Sequence, residues 1–221
     1  MKIKTYENLH ETFLVVFFMT LAGGFQDAYS YILRGGVFAN AQTGNIVLLF
    51  KNIIDLNLSG IISYIVPIFS FILGIYVAVI FEHKFKDKNL HWRQFIIMFE
   101  IIIMIIVAII PQSHNNIANA LLSFSCAMQV NAFKKIYGLN FASTMCIGNL
   151  RSATENLCNY HITGKRENLE NAKKYYAVIL IFGLGAGLGY IMSSFMGLKA
   201  IVVTAVLLLI AFIILFFEKW E

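Results

Sequence analysis

The sequence predicts an all-α protein: a polytopic membrane helix bundle with six transmembrane spans, two further short segments that are re-entrant or tilted, and two internal repeats. Three observations carry this expectation. Of the 221 residues, 59% are apolar and 13% charged, whereas soluble domains carry about 25% charge. Apolar runs of the length a bilayer demands, about 20 residues, recur along the whole chain. Two polar motifs 104 residues apart interrupt those runs at matching places.

Taken in order, the first span covers Thr12 to Leu33, with Asp27 as its single charge. Its length and the lack of a small-residue cleavage site predict a retained anchor rather than a signal peptide. Leu56 to Phe81 forms the second and contains no Asp, Glu, Lys or Arg. The charge-free run from Ile101 to Phe133 is too long for one helix, and Pro111-Gln-Ser-His-Asn-Asn116 divides it into two. Tyr175 to Leu198 and Ala200 to Phe217 complete the six. Gly35 to Phe50 and Gly138 to Leu150 are the two short segments, and the whole of 1–221 reads as a single membrane domain.

Basic residues concentrate on the cytoplasmic side of membrane proteins, so the 17 Lys and Arg choose a topology. If both short segments cross, they divide nine to eight. If neither crosses, fourteen fall on one side and only Arg34, Lys51 and Lys199 on the other. Six crossings with both termini cytoplasmic follow. A seven-span variant with an external N-terminus divides the charges 13 to four, but it treats the two short segments differently although they belong to copies of one unit. Three crossings per unit make the repeats, approximately 12–112 and 115–217, inverted with respect to each other.

The repeat rests on "DAYSYILRGGVFANAQTGN", residues 27–45, and "NAFKKIYGLNFASTMCIGN", residues 131–149. Ala28 aligns with Ala132, Ile32 with Ile136 and Gly44-Asn45 with Gly148-Asn149, while Asp27 becomes Asn131. The candidate substrate-binding residues are Asp27, Asn40, Thr43, Gly44, Asn45, Gln129, Asn131, Gly148 and Asn149. An ionisable residue inside a membrane is costly and marks a functional candidate, and asparagine offers two donors and an acceptor to a solute. On this reading Asp27 is a proton or cation site, Asn45 a ligand, and Asn131 and Asn149 the facing wall. Plainer readings stand beside it: Asp27 caps the re-entrant segment or pairs with Arg34, and the glycines and asparagines are helix-packing glue.

The Asp-Ala late in the first span, "FANAQTGN" after it, and "QVNA" and "IGNL" in the second half resemble the YoaK-like family of bacterial integral membrane proteins, a family of unknown function. The likeness covers nearly the whole chain. It implies a multi-pass protein of the bacterial cytoplasmic membrane, with Asp27, Thr43, Gly44 and Asn45 as the signature of the first half and Gln129, Asn131, Gly148 and Asn149 as that of the second. Ile147 stands where the first copy has Thr43, so a hydroxyl contact there is not shared.

Elsewhere the chain offers little chemistry. Glu100, amid isoleucine, methionine and phenylalanine, is expected to pair with a cytoplasmic-side lysine or arginine, and Arg151 with Glu155 four residues on. Cys126, Cys146 and Cys158 lack metal-ligand spacing, and His161 beside Cys158 is too small a set for a metal, so no metal and no cofactor are expected. "GLGAGLG", residues 183–189, lies in a charge-free run rather than after a strand. Gly183 with Gly187, and Gly185 with Gly189, have the spacing that lets helices meet closely. No enzyme is expected, since no nucleophile stands with a base or metal cluster, and no loop is long enough to bind nucleic acid. A secondary transporter or channel for a small polar or charged solute is the favoured reading, with a non-transporting accessory or scaffold subunit as the alternative. Its partners are the lipid bilayer and the solute, and self-association into a homo-oligomer stays open.

Overall fold

A computed structural model of the chain describes residues 13–85, 92–136, 139–140 and 144–216. They form eight α-helices: α1 (Phe13–Leu33), α2 (Gln42–Ile54), α3 (Leu58–Phe85), α4 (Trp92–Ile109), α5 (Asn115–Ala132), α6 (Cys146–Thr163), α7 (Arg166–Met196) and α8 (Val202–Phe216). A minimal antiparallel pair, β1 (Lys135–Ile136) with β2 (Leu139–Asn140), follows α5. The termini and the cytoplasmic assignment that rests on them lie outside the described residues.

Four helical stretches are long and apolar enough to cross a membrane: Phe13–Leu33, Leu58–Phe85, Trp92–Ile109 and Arg166–Leu215. The last comprises α7 and α8, separated by the 3-10 turn Gly197–Ile201, in which Gly197 adopts a φ of 55°. With 18 residues α5 has the length of a span, but its asparagines, serines and Gln129 keep it out of that set. Pro111 separates α4 from α5 as expected.

Contacts fix the direction of each helix. Gly185 and Gly189 of α7 meet Leu21 and Phe25 of α1 in the same order, so α1 and α7 run parallel. Gly74 of α3 meets Phe124 and Ala127 of α5, and Lys134 beyond α5 bonds Glu82 at 3.2 Å, so these two also run parallel. Arg93, at the start of α4, donates to Ala132 O at the end of α5. Gln94 donates to Leu215 O at the end of α8. Thus α1, α4 and α7 run one way and α3, α5 and α8 the other.

The two helices that follow the broken segments, α2 and α6, diverge. Asn40, just before α2, reaches Gly23 halfway along α1, and Tyr64, early in α3, reaches Gly36 beyond the end of α1. Hence α2 climbs from the middle of α1 toward its C-terminal end. Thr144, just before α6, also touches Gly23, but Ala153 of α6 packs with Val16 near the start of α1. Hence α6 descends from the same level toward the opposite end.

The pattern of packed pairs maps onto itself when α1 is exchanged with α5, α2 with α6, α3 with α7 and α4 with α8. The α1–α7 pair exchanges with α5–α3, α2–α3 with α6–α7, and α1–α8 with α5–α4, while α4–α8 exchanges with itself. Glycine permits the tightest of these approaches, because a Cβ would strike the neighbouring backbone: Gly24 lies on Phe182, Gly185 on Leu21 and Gly74 on Phe124. Gly183 and Gly187 face open space instead, so only one of the two glycine pairs in α7 touches a helix of this chain.

The bundle has an apolar core threaded by buried polar side chains, and its outer surface is apolar as well. Phe69, Leu180 and Phe195 are 64%, 68% and 81% exposed, whereas Gln26, Ser30, Arg34, Asn45, Glu100 and Gln129 are buried. Several boundaries differ from expectation: the first short segment, expected over Gly35–Phe50, is helical over Gln42–Ile54, and α7 starts at Arg166 rather than Tyr175. The second short segment was read as Gly138–Leu150, of which 138 and 141–143 lie outside the described residues. Its helix begins only at Cys146 and runs on to Thr163, since nothing interrupts it until Gly164 takes a left-handed φ of 69°.

Candidate functional site

Polar residues recur along α1 at positions 20, 27, 30 and 34, and Gly23 falls in the same series. At 3.6 residues per turn these share one face, and it is turned inward. Arg34 closes the series. Its guanidinium is fully buried and donates to Val107 O at 2.7 Å and Ile110 O at 2.9 Å. It thereby satisfies the Ile110 carbonyl just beyond α4 and adds a second bond to that of Val107, which also accepts the Ile110 N–H. It also donates to the Tyr29 hydroxyl at 2.9 Å and to Asn115 Oδ1 at 3.3 Å. Tyr29 in turn donates to Leu198 O, and Asn119 Nδ2 to Arg34 O. None of these bonds reaches Asp27.

Gly35 and Gly36, at φ 84° and 75°, turn the chain back beside α1. Irregular backbone in an apolar setting must have its polar groups satisfied by protein, and here side chains do it. Asp27 Oδ1 accepts the Asn40 amide at 2.7 Å, with the amides of Ala39 and Ala41 beside the same carboxyl. Ser30 Oγ accepts the Ala39 amide at 3.0 Å and Ser123 Oγ donates to Ala39 O at 3.0 Å. Asn45 clasps Phe38 from both sides, accepting its N–H at 3.0 Å and donating to its carbonyl at 2.7 Å. Asp27 and Asn45 are therefore engaged by their own loop.

The second broken segment arrives at the same spot. Thr144, the register partner of Asn40, puts its methyl where a Cβ on Gly23 would sit, while Asn40 Nδ2 donates to Gly23 O at 3.0 Å. The helices that follow open alike: Asn45 N reaches Ala41 O and Asn149 N reaches Met145 O, each at 3.4 Å. Neither N-cap, Ala41 or Met145, supplies a side-chain bond to its helix.

Several buried polar atoms here lack a protein partner: Asn40 Oδ1, Asn131 Nδ2, and both ends of the Gln129 amide. Gln129 lies one turn beyond Cys126, whose thiol is within Coulombic reach of Asp27. Asn149 is buried, whereas Thr43 and Gly148 are exposed, and nothing lies within 4 Å of a Cβ placed on Gly148. A Cβ placed on Gly44 would lie 3.0 Å from the Phe38 ring.

Sequence reasoning missed Ser30, Ser123 and Gln42, whose amide donates to Ala39 O at 3.0 Å, as loop anchors, although the spacing of Thr20, Asp27, Ser30 and Arg34 was a signal for an inward polar face. It also misassigned Glu100. The carboxyl is fully buried and accepts a bond from Gln26 Nε2 at 3.0 Å, with no lysine or arginine bonded to it. The reason is depth: Glu100 stands midway along α4, beyond reach of the basic residues at the helix start. Arg151 and Glu155 do pair, at 2.8 Å on the exposed face of α6.

A family model described as "Protein of unknown function (DUF1275)" matches residues 15–214. The chain belongs to this family. Within it, the DUF1275 match takes in both broken segments and all the candidate residues. The resemblance to YoaK-like proteins is consistent with that membership. No curated protein and no solved structure matches the chain.

Proposed function

We propose that this DUF1275 protein is a secondary transporter or channel that moves a small polar solute across the bacterial cytoplasmic membrane. The observation that carries the reading is the meeting of two irregular segments, entering from opposite ends, at one glycine halfway along α1. Broken helices whose ends meet near the bilayer midplane are a recurring way to build a solute site. A scaffold needs only helix packing and has no use for backbone at that depth.

In this reading α1, α3, α4, α5, α7 and α8 cross, α2 and α6 run from the midplane toward opposite faces, and the repeats are inverted about an axis in the membrane plane. The exchange of packed pairs supports the repeat. The end carrying Lys84, Arg93, Lys134, Lys165 and Arg166 is cytoplasmic. Asn40, Gln129 and Asn131 face the solute, and their unbonded groups take the place of part of its hydration shell. Asp27 and Asn45 hold the first loop in place.

Liposome flux over a panel of neutral amino acids, small carboxylates, polyols and monovalent cations tests the proposal. One solute should move faster than in protein-free vesicles, with Asn40→Ala and Gln129→Leu lowering the rate in protein that remains folded. Flux unchanged in both variants removes these residues from the path. No flux for any solute favours the scaffold reading.

A further inference from the structure

Glu100 lies apart from the broken segments and has no place in the reading above. Its neighbourhood is sparse. Gln26 Nε2 donates to Oε1 at 3.0 Å and lies 3.7 Å from the Met104 sulfur, while Glu100 Oε2 and Gln26 Oε1 are both buried without a partner. The other titratable groups sharing this part of the core are the Cys126 thiol of α5 and the Asp27 carboxyl of α1. From α8 comes no titratable residue, the buried residues of α3 are Pro67, Gly74 and Ala78, and Lys199 of the 3-10 turn is exposed. Among the described residues no cation pairs with this carboxyl, and an uncompensated buried charge is severely unfavourable.

We propose that Glu100 and Gln26 form a proton-binding site, in which Glu100 carries a proton in the conformation described here and exchanges it with water when α1 shifts against α4. One proton on the carboxyl supplies the donor that the two orphan oxygens lack. In the exchange the carboxyl O–H bond breaks, the electron pair stays on oxygen, and the proton passes to water. A purely structural bond to Gln26 needs no ionisable group, since an amide at position 100 would fill the same volume and accept the same N–H. The placement of Gln26 supplies the coupling. It is adjacent to Asp27, which holds the first broken segment, so a displacement of that turn of α1 moves the amide relative to Glu100.

This deepens the transport reading, and rests on it for the use made of the proton, but its test does not. The full chain in lipid vesicles is treated with dicyclohexylcarbodiimide, an apolar reagent that attacks protonated carboxyls, and the adduct is located by peptide mass spectrometry across a pH series. Yields are taken relative to a lipid-anchored carboxylic acid. Glu100 should be modified, the yield falling about tenfold for each pH unit past its midpoint, and Glu100→Gln should lose the adduct. The infrared carbonyl band of a protonated carboxyl should be present in the unsubstituted protein, shift in heavy water, and vanish in Glu100→Gln. Absence of an adduct at Glu100 throughout the series, or a carbonyl band that survives Glu100→Gln intact, overturns the proposal. Labelling without flux of any solute would leave the proton site standing and remove the transport reading.

Discussion

Among the described residues two acids are buried, Asp27 and Glu100, and their surroundings differ. Asp27 faces the amides of a returning loop, with the Asn40 N–H bonded at 2.7 Å. Glu100 meets one side-chain amide and keeps an oxygen without a partner. A carboxylate ringed by backbone donors shapes the chain around it, whereas one left with an open oxygen is free to gain or lose a proton. Burial alone does not assign a role to an intramembrane acid; the number and kind of its donors do.

Asp27→Ala should break that contrast most severely. Each amide left without an acceptor costs about 1 to 3 kcal/mol, so the first loop should detach and the protein melt well below the unsubstituted form in a detergent thermal-shift assay. Asp27→Asn keeps an acceptor for Asn40 but turns an NH2 group toward other N–H groups. Its melting temperature should fall by less than that of Asp27→Ala, with the fold retained by circular dichroism. If Asp27→Asn and Asp27→Ala melt alike, the loop amides do not explain the acid.

The same test can be made between the two Gly-Asn turns. Gly44→Ala brings a methyl against the Phe38 ring, 3.0 Å from the Cβ position, and should cost about 1 kcal/mol as that ring gives way. Gly148→Ala meets nothing and should change stability by less than about 0.5 kcal/mol. Smallest of all should be the effect of Glu100→Gln on unfolding, again within about 0.5 kcal/mol, because the amide keeps an acceptor for Gln26. A large loss there would make Glu100 a structural residue like Asp27.

Much of this fold is legible in the chain. Helix positions follow from charge-free runs and from Pro111, and the alignment of the motifs puts Asn40 opposite Thr144, the two residues that meet Gly23. What local pattern cannot supply is the partner across a gap. Asn45 reads as a ligand until Phe38 is seen folded onto both ends of its amide, and Glu100 reads as half of an ion pair until α1 brings Gln26 against it. The close approach of α1 and α7 is a separate matter, which Gly24, Gly185 and Gly189 decide. The spacing of those glycines shows that helices can meet, but it gave Gly183 and Gly187 the same rank although they touch nothing. The length of α6 was missed for a related reason: its residues are too polar for a span, yet they support a helix along α7.

The divergence of α2 and α6 has an electrical consequence. Each helix presents roughly half a positive charge at its N-terminus, and both N-termini begin beside Gly23. Because the helices point in opposite directions, their moments oppose each other, and at the meeting point the positive ends add. On the proposed transport topology a cation arriving from either face would meet the same repulsive potential there, offset where Asp27 lies, while a neutral or negatively polarised group would be received alike from both sides.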